Sequence, residues 1–234
     1  MKIFVSPTNT KFIINDRSDV IYDVLQEKSF FDAHNIQAAI NHLKDNTGIV
    51  LDIGANIGTF CCEIASIFPS YTIHAFEPVS LTFSELEENI KLNNFKNIAT
   101  HNIGISDNSG VVEGQTPKIK GPAGHITLSE QVEKLRSGNV IHNKTSYKVA
   151  TLDSFNFEDV SLIKIDVEGM EYEVFLGAVD TIKKCRPVII FEAWNRDWFY
   201  EKRKKLLEFV QSLDYTITPM GDDNIAIPKQ IITG

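Results

Sequence analysis

The sequence predicts a doubly wound α/β fold, in which a mostly parallel seven-stranded sheet carries helices on both faces and ends in an antiparallel hairpin. Short, nearly continuous apolar runs alternate along the chain with segments whose apolar residues recur every three or four positions. Strands that are apolar on both sides belong in a parallel sheet covered on both faces. The last two apolar runs are short and close together, which predicts the hairpin.

The predicted elements follow in chain order. Residues 1–47 are expected to form a helical N-terminal segment packed on the core, because Ile36, Ile40 and Leu43 share one helix face. Residues 48–234 form the main domain. Its strands are predicted at 49–53, 71–76, 98–105, 161–165, 187–191, 215–218 and 224–227. Its helices are predicted around 60–68, 83–90, 174–182 and 206–213.

Composition argues against several classes of protein. The chain has 23 Lys and Arg against 31 Asp and Glu, a net charge of −8, so a nucleic acid backbone is not the expected partner. No run approaches the ~18 apolar residues of a membrane span, and the first residues lack the apolar core of a signal peptide. We therefore expect a cytoplasmic protein without a membrane span. Cys61, Cys62 and Cys185 lack zinc-site spacing and are expected to be reduced.

The segment VLDIGANIGTF, residues 50–60, is the most informative motif. A strand ends at Asp52, the turn Gly54-x-Asn56-x-Gly58 follows, and a helix then begins. Glycines let a backbone approach a ligand closely, and a helix start offers free N–H groups. The pattern is not the GxGxxG of pyrophosphate sites, and the Asp52 carboxylate would repel a pyrophosphate but attract an ammonium group. S-adenosylmethionine has an amino-acid end and no phosphate, so we expect it as the cofactor.

Glu77 ends the next strand, 25 residues after Asp52. An acid at that place accepts the hydroxyls of a ribose in dinucleotide-binding folds. The alternative is that Asp52 and Glu77 are loop carboxylates that cap helices. Their position at neighbouring strand ends, where ligands collect in this fold, favours the cofactor interpretation.

Six segments together resemble the FkbM-type methyltransferases, a branch of the class I S-adenosylmethionine-dependent enzymes. They are LDIGANIGTF, HAFEPVSLTFSELEENIKLNN, GISDNSG, ATLDSF, LIKIDVEGMEYEVFLGA and RPVIIFE, in that order. The resemblance spans roughly residues 48–192, and LIKIDVEG is its most specific part. It implies a Rossmann-like fold and a methyltransferase domain over residues 48–234. It also implies methylation of hydroxyl groups, often those of sugars or polyketide-like metabolites.

The resemblance also assigns roles to residues. Its cofactor loop and ribose acid match Asp52, Gly54, Asn56, Gly58 and Glu77. The adenine position matches Ile105, Ser106 and Asp107. For the segment from Ser106 to Gly110 a simple turn is an alternative, since its composition favours one.

Three carboxylates are expected to converge beside the methyl group. Asp166 and Glu168 end the fourth strand of the domain, and Glu192 ends the fifth. A carboxylate among other carboxylates has a raised proton affinity, which suits a base that relieves a hydroxyl of its proton. Asp166 and Glu192 would instead be oxygen ligands if a divalent metal is bound, an alternative that we leave open but do not favour. Asp166 and Glu168 as helix caps are the structural alternative.

Residues 106–150 break the strand–helix rhythm with five glycines and two prolines, and are expected to be an irregular, lid-like insertion. The insertion leaves the carboxyl end of the third strand, where ligands collect. We therefore predict that it covers the acceptor, with His125 facing the site. His125 would take the hydroxyl proton or hydrogen-bond a neighbouring sugar hydroxyl.

The leading hypothesis is an S-adenosylmethionine-dependent O-methyltransferase that acts on a hydroxyl of a sugar, a glycan or a small metabolite. A nicotinamide-dependent oxidoreductase would need the missing GxGxxG. An RNA methyltransferase of the same fold is disfavoured by the net charge of −8. A non-catalytic cofactor-binding module is disfavoured by the carboxylates Asp166, Glu168 and Glu192.

Overall fold

The computed structural model describes residues 2–15, 25, 32–44, 47–117 and 142–229, without the side chains of 114–117 and 142–144. The strands are β1 (Lys2–Val5), β2 (Lys11–Ile14), β3 (Gly48–Ile53), β4 (Tyr71–Phe76), β5 (Ile98–His101), β6 (Gly104–Ile105), β7 (Gly110–Pro117), β8 (His142–Ala150), β9 (Val160–Ile165), β10 (Val188–Glu192), β11 (Tyr215–Met220) and β12 (Asp223–Pro228). The helices are α1 (Ala33–His42), α2 (Thr59–Ile67), α3 (Ser80–Asn93), α4 (Glu171–Leu176), α5 (Val179–Cys185) and α6 (Tyr200–Ser212).

Seven strands form the main sheet in the order β11-β12-β10-β9-β3-β4-β5. The five strands from β10 to β5 run parallel, while β12 is antiparallel to both β10 and β11. The doubly wound fold and its C-terminal hairpin are therefore confirmed. From β3 the chain first builds outward through β4 and β5, and then returns to add β9 and β10 on the other side. The carboxyl ends of β3 and β9 thus form the switch point, where ligands bind in such folds.

Side chains of alternate strand residues face opposite sides of the sheet. Val50, Leu162 and Ile190 pack on one side with the apolar faces of α1, α2 and α3; this side is called the first face. Leu51 and Ile163 pack on the other side with α4, α5 and α6. Helices therefore cover both faces, as expected. No helix in the described ranges is both long and apolar enough to cross a bilayer.

The N-terminal segment differs from the expected helical one. Its described part begins with an antiparallel hairpin of β1 and β2, and α1 follows. Asn89 and Asn93 of α3 accept hydrogen bonds from the N–H groups of Ile13 and Lys11, at 2.9 and 2.8 Å. Two four-residue strands are too short to show a period of two clearly, which is why the sequence pattern did not reveal them.

Two predicted elements are divided in the structure. The helix expected around 174–182 is α4 and α5, separated at Gly177, where a Cβ atom would lie only 1.9 Å from the Ser106 carbonyl oxygen. The strand expected at 98–105 is β5 followed by β6, which leaves the main sheet. The helix break lies at this close approach to Ser106, so a long-range contact explains it.

The insertion at 106–150 is regular at both ends, contrary to the expectation of irregular structure. Strands β7 and β8 pair antiparallel, and β6 pairs parallel with β8, which makes a separate three-stranded sheet. Gly110 and Pro117 lie at the two ends of β7, where strands tolerate such residues. Residues 118–141, and with them His125, lie outside the described residues, so the predicted lid and the role of His125 stay predictions.

Candidate active site

The turn between β3 and α2 depends on three residues with left-handed backbone. Gly54, Asn56 and Gly58 have φ values of 84°, 52° and 90°. A Cβ atom at Gly54 would lie 1.7 Å from the Asp166 carbonyl oxygen, so this glycine lets the ends of β3 and β9 meet. The predicted cofactor turn therefore lies directly beside the predicted acceptor side.

Asp52 ends β3 with a side chain that is completely buried. Burial raises the pKa of its carboxyl group, and the Lys164 ammonium, 3.7 Å from Oδ1, opposes that rise. The thiol and the backbone N–H of Cys61 also hydrogen-bond to the carboxylate and lower its pKa. A carboxylate has about four lone-pair sites, so these contacts leave capacity that a cationic ligand would use.

Glu77 ties the turn to the end of β4. Its Oε2 accepts a hydrogen bond from the Asn56 N–H at 3.0 Å, and its Oε1 accepts one from the Val79 N–H at 2.8 Å. Burial raises the pKa of Glu77 to about 7. Each oxygen has a second lone pair, so both backbone anchoring and the predicted ribose contacts fit this side chain. Asn56 Oδ1 is buried and has no partner within the described ranges.

The predicted adenine residues lie at the end of β6 and directly after it. Ile105 and Ser106 are buried and Asp107 is exposed. The Ser106 N–H donates to the Ala150 carbonyl at 2.9 Å, and Ser106 Oγ donates to Asp107 Oδ1 at 3.2 Å. Asn102, which lies between β5 and β6, donates its Nδ2 hydrogen to the Glu77 carbonyl at 2.8 Å. The chain just before β6 therefore lies next to the predicted ribose acid.

Asp166, Glu168 and Glu192 come together at the carboxyl ends of β9 and β10, as predicted. Burial raises the pKa of Asp166 to about 6; Lys164, 3.3 Å from Oδ2, opposes this rise, and Glu168 adds to it. Burial raises the pKa of Glu192 to about 11, and the charges of Asp166 and Glu168 contribute. At neutral pH Glu192 is therefore protonated and Asp166 is mostly ionised. Within the described residues, no three His, Cys, Asp or Glu side chains are arranged to hold a metal ion.

Lys164 is a buried charged residue of the candidate site that sequence analysis missed. It is 3% exposed, and burial alone would lower its pKa, but Asp166, Asp32 and Asp52 raise that pKa well above its usual value. The register places it directly beside Asp52 on the first face. A lysine inside the apolar run LIKI was the available signal, because lysines are rarely buried without a carboxylate partner.

Two acids near the site have structural roles. Asp32 precedes α1, and its Oδ2 accepts a hydrogen bond from the Thr59 hydroxyl at 2.8 Å. Glu171 Oε1 accepts hydrogen bonds from the N–H groups of Gly169 and Val167, at 3.0 and 3.2 Å. Burial raises the pKa of Glu171 to about 8. These contacts hold the turn after β3 and the turn after β9 in place.

The sequence profile of the Methyltransferase FkbM domain matches residues 52–217. Methyltransferase 1 of Beauveria bassiana is 26% identical over 174 residues, which are 68% of this chain and 70% of that protein. Hexuronic acid methyltransferase AglP of Haloferax volcanii is 27% identical over 144 residues, 61% of this chain and 54% of AglP. 2-O-methyltransferase NoeI of Sinorhizobium fredii is 23% identical over 163 residues, 65% of each chain.

The crystal structure of Methyltransferase FkbM from Methylobacillus flagellatus superposes with a TM-score of 0.54 at 18% identity. The match covers 80% of this chain and 45% of that one, so this chain spans less than half the length of that structure. At this identity the likeness shows a common fold.

Proposed function

The chain belongs to the FkbM methyltransferase family, and from that premise we propose that it transfers a methyl group from S-adenosylmethionine to a hydroxyl of a sugar or glycan. The observation that carries the proposal is the placement of several acidic residues at the switch point of the family-matched region. There the cofactor turn at Gly54 meets the acceptor-side acid Asp166 through direct backbone contact.

The residues of the turn fit S-adenosylmethionine. Asp52 offers a buried carboxylate with lone pairs left after its contacts with Cys61, which suits the ammonium of an amino-acid end. Glu77 has lone pairs left for two ribose hydroxyls after its contacts with Asn56 and Val79. When bound, this cofactor supplies a methyl group made electrophilic by its sulfonium.

On the acceptor side, Asp166 is proposed to align the acceptor hydroxyl. Its carboxyl is ionised above about pH 6 and is partly exposed, at 27%, so it can accept a hydrogen bond from a hydroxyl in the crevice. Holding the hydroxyl in one orientation removes much of the entropic barrier to transfer. Glu192, with its pKa raised to about 11, is protonated and donates a hydrogen bond instead.

A sugar acceptor is supported by two kinds of observation. The names of two relatives refer to a hexuronic acid and to 2-O-methylation. In addition, Trp198 and Tyr200, exposed at 39% and 57%, follow the end of β10, and such aromatic faces stack on the apolar faces of sugars. Trp198 packs at 5.6 Å on Trp194, only two residues beyond Glu192.

The test uses the purified chain with S-adenosylmethionine and a panel of methyl glycosides: a neutral hexose, a 6-deoxyhexose, a hexosamine and a hexuronic acid. We expect release of S-adenosylhomocysteine and a methyl ether that withstands mild alkali with at least one glycoside. A product that alkali hydrolyses would be an ester and would contradict O-methylation of a hydroxyl. If the chain methylates an RNA substrate but none of the glycosides, the proposal of a sugar acceptor is contradicted.

A further inference from the structure

The N-terminal segment reaches into the crevice although it precedes the family-matched region. Asp32, just before α1, accepts a hydrogen bond from Thr59 at the start of α2. Three residues later, Asn35 Nδ2 donates to Asp223 Oδ2 of β12 at 3.2 Å. The beginning of α1 therefore spans the first face from the cofactor turn to the antiparallel strand β12.

A histidine and an aspartate meet at that place. His34 Nε2 lies 2.5 Å from Asp223 Oδ2. Because a carboxylate only accepts hydrogen bonds, Nε2 carries the hydrogen and Nδ1 has a free lone pair. No described residue hydrogen-bonds Nδ1. The His34 side chain is 57% exposed and that of Asp223 only 16%, so a mostly buried carboxylate anchors a ring that is largely open to solvent.

The register places this pair at the same crevice as the acceptor-side acids. Asp52, Lys164 and Ile190 are register partners across β3, β9 and β10, and Ile190 pairs with Ile225 of β12. One step nearer the carboxyl ends, Glu192 pairs with Asp223. Side chains two residues apart share a face, so Glu192 and Asp223 lie on the first face, as Asp52 and Lys164 do. The negative charge of Asp223 is also one cause of the raised pKa of Asp166.

We propose that His34 is a catalytic residue that takes the proton of the acceptor hydroxyl on Nδ1, and that Asp223 is the positioning residue that holds its ring. This inference rests on the proposed function. As the acceptor oxygen forms its bond to the methyl carbon, its O–H bond breaks and the proton moves to Nδ1. The electron pair of the breaking carbon–sulfur bond stays on sulfur. The imidazolium is stabilised by the Asp223 carboxylate and releases its proton to solvent.

The described alternatives suit this role less well. The raised pKa of Glu192, about 11, favours its protonated form, which is not the form of a general base. Asp166 is paired with the Lys164 ammonium at 3.3 Å, which weakens its basicity and suits it to orientation of the hydroxyl. An imidazole that is oriented by a carboxylate is a common arrangement for removing a hydroxyl proton.

The experiment compares His34→Gln, His34→Ala and Asp223→Asn with the parent enzyme, on the methyl glycoside that the parent methylates fastest. His42→Gln, at the other end of α1, is the matched control. We expect His34→Gln to lower kcat by ~10²-fold or more while KM for the glycoside and the calorimetric Kd for S-adenosylhomocysteine stay within about twofold. Added imidazole should restore part of the kcat of His34→Ala, because the site is open to solvent, but not that of Asp223→Asn.

Each outcome decides the proposal. An unchanged kcat in His34→Gln would overturn it. Equal losses of kcat and of S-adenosylhomocysteine affinity would overturn it as well, because they would indicate that His34 only positions helix α1. If the parent methylates none of the glycosides, the proposed function itself is wrong. If the parent and His34→Gln methylate a glycoside equally well, only the role of His34 is wrong.

Discussion

The Lys164 ammonium lies 3.3 Å from the Asp166 carboxylate, the acid proposed to orient the acceptor hydroxyl. The same ammonium lies 3.7 Å from Asp52 at the cofactor turn. One buried cation therefore compensates an acid on each side of the crevice. Asp32 adds a third negative charge nearby, so loss of this lysine would leave several acids without compensation.

Replacement of Lys164 by Met should destabilise the fold strongly. Removing one partner of a buried ion pair leaves an unpaired charge and typically costs about 3–5 kcal/mol. Urea denaturation should show this loss in the free energy of unfolding. Adding Asp52→Asn to Lys164→Met should recover part of it, because one uncompensated charge is removed. Strictly additive losses in the double variant would contradict the coupling of these two residues.

Glu77→Ala should weaken binding of S-adenosylmethionine by about 1–3 kcal/mol, the range for lost hydrogen bonds to a charged group. The change also releases the N–H groups of Asn56 and Val79. Isothermal calorimetry gives the affinity directly. Glu88→Ala on the exposed side of α3 is the control, and an affinity equal to that of the control would remove Glu77 from the cofactor site.

Asp166→Asn should reduce turnover ~10²-fold or more and leave S-adenosylhomocysteine affinity within about twofold, since the proposed role of the carboxylate is to orient the acceptor hydroxyl. Turnover of the parent should also fall below about pH 6, where Asp166 becomes protonated. Asp180→Asn, exposed on α5, is the control. Near-normal turnover of Asp166→Asn would assign a structural role, and a chelator added to the parent distinguishes a metal ligand from a hydrogen-bonding acid.

Glu192 should make the protein less stable as pH rises. Its pKa is raised from 4.5 to about 11, so between these values the folded state holds a proton that the unfolded state has lost. Its contribution is fully present below about pH 4.5 and declines by up to about 1.4 kcal/mol per pH unit above it. Glu192→Gln does not titrate, so its unfolding free energy should exceed that of the parent increasingly toward about pH 9. A difference that is equal at about pH 5 and about pH 9 would contradict this.

His125 remains a prediction from the insertion. His125→Ala should lower turnover of the glycoside or raise its apparent KM, with cofactor affinity intact, if the insertion covers the acceptor. Its effect is best compared with that of His34→Gln in the same assay. A turnover and an apparent KM that both equal those of the parent would exclude His125 from the site.

Much of this molecule follows from local patterns. Strand and helix periodicity extends over a few neighbouring residues, so the order of elements and the parallel sheet were predictable. Asp52, Gly54 and Glu77 stand at strand ends, and the carboxyl ends of parallel strands meet at one edge, so their proximity was predictable as well. For the same reason, the sequence predicts that the strand-end acids Asp166 and Glu192 lie at this edge of the sheet.

Other features depend on contacts between distant residues. His34 and Asp223 are 189 residues apart, and they meet only because β12 inserts between β10 and β11 while α1 crosses the first face. The burial of Lys164 between Asp52 and Asp166 likewise depends on β9 adding beside β3. The spacing of apolar residues along the chain does not determine which strands become neighbours in the sheet. That choice is decided by how the apolar faces pack in the complete fold. The ion pairs of Lys164 and the contact between His34 and Asp223 were therefore determined only by the tertiary structure.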